Sequence, residues 1–216
     1  MSSFIRAAMA TAAVSGLVLL SACGSGDESG KGDIEGAKDS EESASASPSS
    51  SPSGSKNVDA PNLDLPKGVR VVFEDEATSD PKKAKVLRDH SYAVKAMALA
   101  YSTGKPDVPV VHRYYQDAAG QQVQSRVKQY RADGKVGTGT YRYYDRKVTL
   151  GKSSASVTFC ESQRDAFAKT VKTGKVIRTK PSINDFVSGE AIMEKRGDTW
   201  VVISMAGKSG DEKCSR

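Results

Sequence analysis

The chain has 216 residues, a net charge of +6, 38 % hydrophobic and 6 % aromatic residues, and three cysteines. The charge is unevenly placed: residues 23–65 carry 3 Lys/Arg against 9 Asp/Glu, whereas residues 66–216 carry 28 against 17. This leaves one basic domain of about 150 residues, large enough to bury roughly two-thirds of its unfolded surface, and excludes a multidomain enzyme, a polytopic membrane protein and a disulfide-dense miniprotein.

Residues 1–22 open with a short segment whose one charge is Arg6, followed by an apolar run from Ala7 to Leu20. A run of that length suits the apolar region of a signal peptide, because a spanning helix needs about 20 apolar residues. The next residues, Leu20-Ser21-Ala22-Cys23-Gly24, resemble the lipobox of bacterial lipoproteins. The resemblance implies removal of residues 1–22 and attachment of lipid to the Cys23 thiol. The protein is then expected on the extracytoplasmic face of the cell membrane, held by more than one acyl chain and therefore stably. Residues 23–65 are rich in Ser, Gly, Ala, Pro, Asp and Glu, with Ile34 the only large aliphatic residue between Cys23 and Val58. Such a composition cannot offset the entropy of ordering, so a disordered acidic tether is expected, with a reach of roughly 35–40 Å.

Residues 66–216 form the expected globular domain. Residues 69–75 read as a lead-in strand. Ser79-Asp80-Pro81 is a helix start with a capping side chain and proline at the first position, and Gly104 ends that helix after Thr103. Leu87, His90, Val94, Met97 and Tyr101 make one apolar stripe along it. A second helix is expected from Pro109 to Asp133-Gly134, with Val111, Tyr115, Ala119, Val123, Val127 and Tyr130 on one face.

After Gly134 the period changes to two. Strands are expected at 136–145, continuing through 147–150, at 154–160, and briefly at 175–179. Segment 161–172 is ambiguous and reads as a turn of helix. Residues 186–194 and 199–206 pair as a hairpin across Lys195-Arg196-Gly197-Asp198. Helices followed by mostly antiparallel strands define an α+β domain.

Two helices ahead of a curved antiparallel sheet resemble the cone-shaped fold of the nuclear transport factor 2-like superfamily. The domain is also similar to a group of secreted actinobacterial lipoproteins with no established activity. That likeness rests on Gly137-Thr138-Gly139-Thr140, Tyr143-Tyr144-Asp145, residues 155–160, the Trp200-Val201-Val202 strand and the terminal Cys214. It implies helices packed on a curved, cone-like sheet and a location outside the cytoplasm.

With Cys23 given to the lipid, Cys160 and Cys214 remain, and an exported domain with two thiols is expected to pair them. His90 and His112 are the only histidines, and no zinc, calcium, phosphate-loop or nucleophile-elbow spacing occurs, so no cofactor and no metal is expected. Cone folds can hold a carboxylate base, and Asp89, Asp145 and Glu190 are the candidates by period, although none matches a family motif. Tyr115, Tyr141, Tyr143 and Trp200 are the candidate pocket, since Tyr and Trp combine apolar area with a polar tip. Gly137-Thr138-Gly139-Thr140 reads as a bend in a strand. The expected function is therefore non-enzymatic binding of a small apolar or amphipathic ligand. The alternative is a basic surface that meets anionic envelope polymers or a protein partner, and nucleic acid is not expected as a partner. A third reading is a pocket enzyme of the isomerase or cyclase kind, which requires a buried carboxylate with no charge partner.

Overall fold

The structure is a computed structural model, and it describes residues 63–74 and 77–216. The expected leader, Cys23 and most of the expected tether lie outside the described residues.

Strand β1, Val69–Glu74, precedes helix α1, Pro81–Thr103. The cap of α1 is Asp80, whose carboxylate accepts the backbone N–H groups of Lys82 at 2.8 Å and Lys83 at 3.2 Å. A cap of this kind is worth about 1 kcal/mol. Gly104 ends the helix in the left-handed region at φ 66°, a conformation glycine adopts without a Cβ clash. The inner face of α1 carries Ala93, Ala96 and Ala100, all fully buried. These small side chains let the helix lie close against the sheet.

The expected second helix is two helices, α2 at Pro109–Tyr114 and α3 at Asp117–Ala132. Between them Tyr115 and Gln116 are extended. Tyr115 bridges Val202 in parallel, and the Gln116 N–H donates to the Val202 carbonyl at 3.0 Å. The sheet edge thus supplies a backbone partner that breaks the helix. The periodicity concealed the break because Val111, Tyr115, Ala119, Val123 and Val127 are buried on both sides of it.

The remaining strands are β2 at Lys135–Leu150, β3 at Ser154–Thr170, β4 at Val176–Ile177, β5 at Phe186–Arg196 and β6 at Thr199–Ser209. Segment 161–170 continues β3 rather than turning as a helix, because Asp165 to Thr170 pair with Thr140 to Lys135 of β2. The expected strand at 175–179 shrinks to the two residues of β4. Sheet order is β1-β2-β3-β5-β6, with β4 on the far end of β3. The β1–β2 pair is parallel and the others are antiparallel.

Register shifts between Thr140 and Arg142, between Tyr144 and Lys147, and between Ile192 and Met193 bend the sheet. Gly139 sits at φ 92°, and a Cβ there would fall 2.1 Å from the Asp165 carbonyl oxygen. The Gly137–Thr140 segment is therefore a bend, as its sequence suggests. The result is an α+β domain whose three helices pack on a curved, open, mostly antiparallel sheet.

Candidate functional site

Curvature leaves a cavity of about 570 Å³ between the helices and the concave side of the sheet. That volume falls within the range of small-molecule sites. From α1 come Val94, Met97 and Tyr101, at the three- and four-residue steps that align side chains along a helix. Strand β2 contributes Tyr141 and Tyr143, β3 contributes Phe159, Glu161 and Gln163, and β5 contributes Gly189 and Ala191. Each set alternates by two, as side chains on one face of a strand must. Val202 and Met205 of β6 and Gln122, Arg126 and Tyr130 of α3 also line it.

Glycines make the space. Gly189 lies opposite Phe159 in the β3–β5 ladder. A Cβ on Gly189 would fall 2.3 Å from the Phe159 ring, so only glycine leaves that ring its place.

The polar centre is Glu161, 8 % exposed. Its carboxylate accepts a hydrogen bond from Gln163 Nε2 at 2.9 Å and another from the Tyr143 hydroxyl. Among the described residues no Lys, Arg or His side chain forms an ion pair with it. Burial raises its pKa, and the two hydrogen bonds pull it back in part. The phenols of Tyr115, Tyr141 and Tyr143 are raised chiefly by burial, with the Glu161 charge adding to each, so they remain hydrogen-bond donors.

His90 also lines the cavity and is 2 % exposed. Burial first, and the Arg146 charge second, lower its pKa to about 3, so the ring is neutral. Arg146 Nη1 lies 3.4 Å from its Nδ1. A guanidinium only donates, so Nδ1 accepts and the ring proton sits on Nε2. The site is therefore an apolar chamber with hydrogen-bond donors around one carboxylate.

Of the four aromatic side chains expected at a pocket, Tyr115, Tyr141 and Tyr143 meet in this cavity. Trp200 does not line it; its backbone N–H donates to Asp89 Oδ2 at 2.8 Å where α1 packs on β6. The carboxylates singled out by period lie elsewhere. Asp89 is buried but engaged by Trp200 and Arg88, the latter through Nε at 2.9 Å and Nη2 at 2.8 Å. Asp145 is exposed at the β2 bulge, and Glu190 is exposed and accepts from the Ser156 hydroxyl at 2.6 Å. Glu161 was missed, although the alternation through Ala155, Val157 and Phe159 reaches it in one further step.

Cys160 and Cys214 are joined as a disulfide, with Cα atoms 5.4 Å apart. The Tyr144 hydroxyl donates to the Cys214 carbonyl, and the Arg216 guanidinium stacks 3.5 Å from the Tyr144 ring centre, so the C-terminus is tied to β2 and β3. Among the described residues no three His, Cys, Asp or Glu side chains gather in a way that would hold a metal ion.

No protein-family model matches the chain, and no curated protein matches its sequence. Among solved structures it is similar to a member of the NTF2-like family from Streptomyces avermitilis, at 12 % identity and TM-score 0.40, over 60 % of this chain and 98 % of that one. An NTF2-like protein from Cytophaga hutchinsonii gives 6 % identity and TM-score 0.41 over 60 % and 98 % of the two chains. An NTF-2 like protein of unknown function from Shewanella oneidensis gives 13 % and 0.37 over 56 % and 98 %. Likenesses this remote leave the function to be read from the chain's own residues.

Proposed function

We propose that the domain is a non-enzymatic binding module whose cavity holds one small amphipathic molecule. Its apolar body would lie on Val94, Met97, Phe159 and Met205, with a hydrogen-bonding end at Glu161 and the surrounding phenols. The observation that carries this reading is a buried carboxylate, in no ion pair among the described residues, on the wall of a largely apolar cavity of about 570 Å³. A solvated carboxylate would be cheaper for folding alone, and the cost of burying one is offset when a ligand completes its hydrogen bonding. Native mass spectrometry of the full chain carrying Cys23→Ser, purified from a bacterial periplasm, tests it. A retained small-molecule mass that Glu161→Gln weakens is expected, and a bare mass after exposure to lipid and metabolite extracts would overturn the reading.

The same carboxylate supports a second reading, a pocket enzyme in which Glu161 takes up a substrate proton while a phenol or His90 Nε2–H steadies the oxygen that gains charge. Solvent deuterium entering the retained molecule, and failing to enter with Glu161→Gln, would favour it over simple binding.

The location belongs to the same proposal. The Leu20–Cys23 run supports lipid on Cys23 and anchoring to the outer face of the cell membrane, with residues 24–65 as spacer. An intact mass of the membrane-extracted protein that begins at Cys23 and carries acyl chains is the expected result.

A further inference from the structure

Residues 171–184 are exposed without interruption. They hold all the large hydrophobic side chains that are exposed among the described residues: Val171, Val176, Ile177 and Ile183, between 37 and 42 % exposed. From 166 to 184 the sequence has no Asp or Glu, but it has Lys169, Lys172, Lys175, Arg178 and Lys180. This is not a loose loop. The Val171 N–H donates to the Gly134 carbonyl at 2.8 Å, and the Thr170 N–H donates to the Lys175 carbonyl at 2.9 Å. Gly174 turns the chain at φ 70°, Val176 and Ile177 pair with Lys169 and Ala168, and the Arg178 guanidinium sits 4.8 Å from the Phe167 ring centre. Hydrogen bonds and strand pairing thus hold Val171, Val176 and Ile177 with Lys172, Lys175 and Arg178 in one hairpin at the end of β3.

We propose that this hairpin seats on an anionic phospholipid bilayer, its aliphatic side chains entering the headgroup layer and its Lys and Arg side chains meeting lipid phosphates. Charge alone would suit any polyanion, but a fully polar polymer gives no return for clustered aliphatic groups, whereas a bilayer offers both an anionic surface and an apolar phase beneath it. A second copy of the chain would bring the same cations against these. The chain's own acidic segment 23–65 complements the charge but brings few apolar side chains to cover Val176 and Ile177. The inference stands on the hairpin and is independent of what the cavity holds.

The test uses the full chain with Cys23→Ser, so that acylation cannot anchor it, and vesicles of equimolar phosphatidylcholine and phosphatidylglycerol against phosphatidylcholine alone. Binding to the mixed vesicles, weakened by salt and absent on phosphatidylcholine, is expected. Each basic residue near such a surface contributes a roughly fivefold gain in partition, so Lys172→Glu with Lys175→Glu lowers it by about 25-fold or more. Val176→Ser with Ile177→Ser keeps the charge and lowers partition several-fold, at an unchanged melting temperature. No binding at 0.1 M salt, or binding indifferent to the charge reversals, overturns the proposal. Serine substitutions without effect, together with equal binding of soluble polyphosphate, would replace the bilayer by a polymer. A dimer dissolved by Ile177→Ser, with vesicle binding unchanged, would replace it by a second copy of the chain.

Discussion

Where α1 meets β6, the buried Asp89 carboxylate receives the Trp200 backbone N–H and the forked Arg88 guanidinium, and it does not line the cavity. In the cavity, Glu161 is nearly as buried yet receives only neutral donors and faces open volume. One carboxylate is a fastening inside packed structure; the other keeps spare acceptor capacity on the wall of a partly open cavity. The contrast teaches how to separate structural from functional buried charge in one domain: the partners decide it, not the depth. A buried acid whose hydrogen bonds close a backbone gap belongs to the fold, and one that leaves acceptor capacity toward a void belongs to a ligand.

The largest expected effect concerns the covalent bond beside the cavity. Cys160 and Cys214 are 54 residues apart, and opening a loop of that length costs about 4 kcal/mol in the chain-entropy model. Urea unfolding with and without reductant should show a loss of that order; a change below about 1 kcal/mol would mean that packing alone holds the cavity strand.

Asp89→Ala comes next. It strands the Trp200 N–H in the interior and should cost about 2–3 kcal/mol by the same measurement. Asp89→Asn keeps an acceptor and should recover much of it. Equal losses in the two variants would mean that the hydrogen bond to the Trp200 N–H does not stabilise the fold.

The smallest effect is the most discriminating. Because burial raises the folded-state pKa of Glu161, both states hold its proton below the ordinary carboxylate range and its burial is then neutral. As pH rises through that range the unfolded chain releases the proton first, so stability falls until the folded-state pKa is passed. Glu161→Gln should remove that fall and unfold no more easily at neutral pH. Stability-against-pH curves of the same slope for the two proteins would return Glu161 to the class of Asp89.

Much of the scaffold was legible in residues whose local and global preferences agree. Asp80-Pro81 and Gly104 marked both ends of α1 because capping and left-handed geometry are local chemistry. The strands with alternating apolar residues, and the hairpin at Gly197-Asp198, were legible for the same reason. The break at Tyr115-Gln116 was not, since it is made by a backbone partner on β6, far away in sequence. The second half of β3 was hidden by its polar composition, as pairing with β2, and with β5 at Glu161 and Ser162, makes Glu161-Ser162-Gln163-Arg164-Asp165 a strand. Once that half is a strand, Glu161 and Gln163 fall on the cavity face with Phe159. Missing the site residue and misreading the element were therefore one error. Trp200 was the reverse case, a residue type suited to pockets whose strand position sets it against α1.

Strand β1 carries a further consequence, in the order of assembly. Val69–Glu74 comes first among the described elements but pairs with Gly139–Tyr144, beyond all three helices in sequence. Its docking must close a loop of about seventy residues before any hydrogen bond rewards it. The β2–β3 and β5–β6 pairs, by contrast, can zip from their own turns. A chain that folds while emerging N-terminus first must hold this strand in waiting until β2 has arrived, and Val71, one wall of the cavity, waits with it.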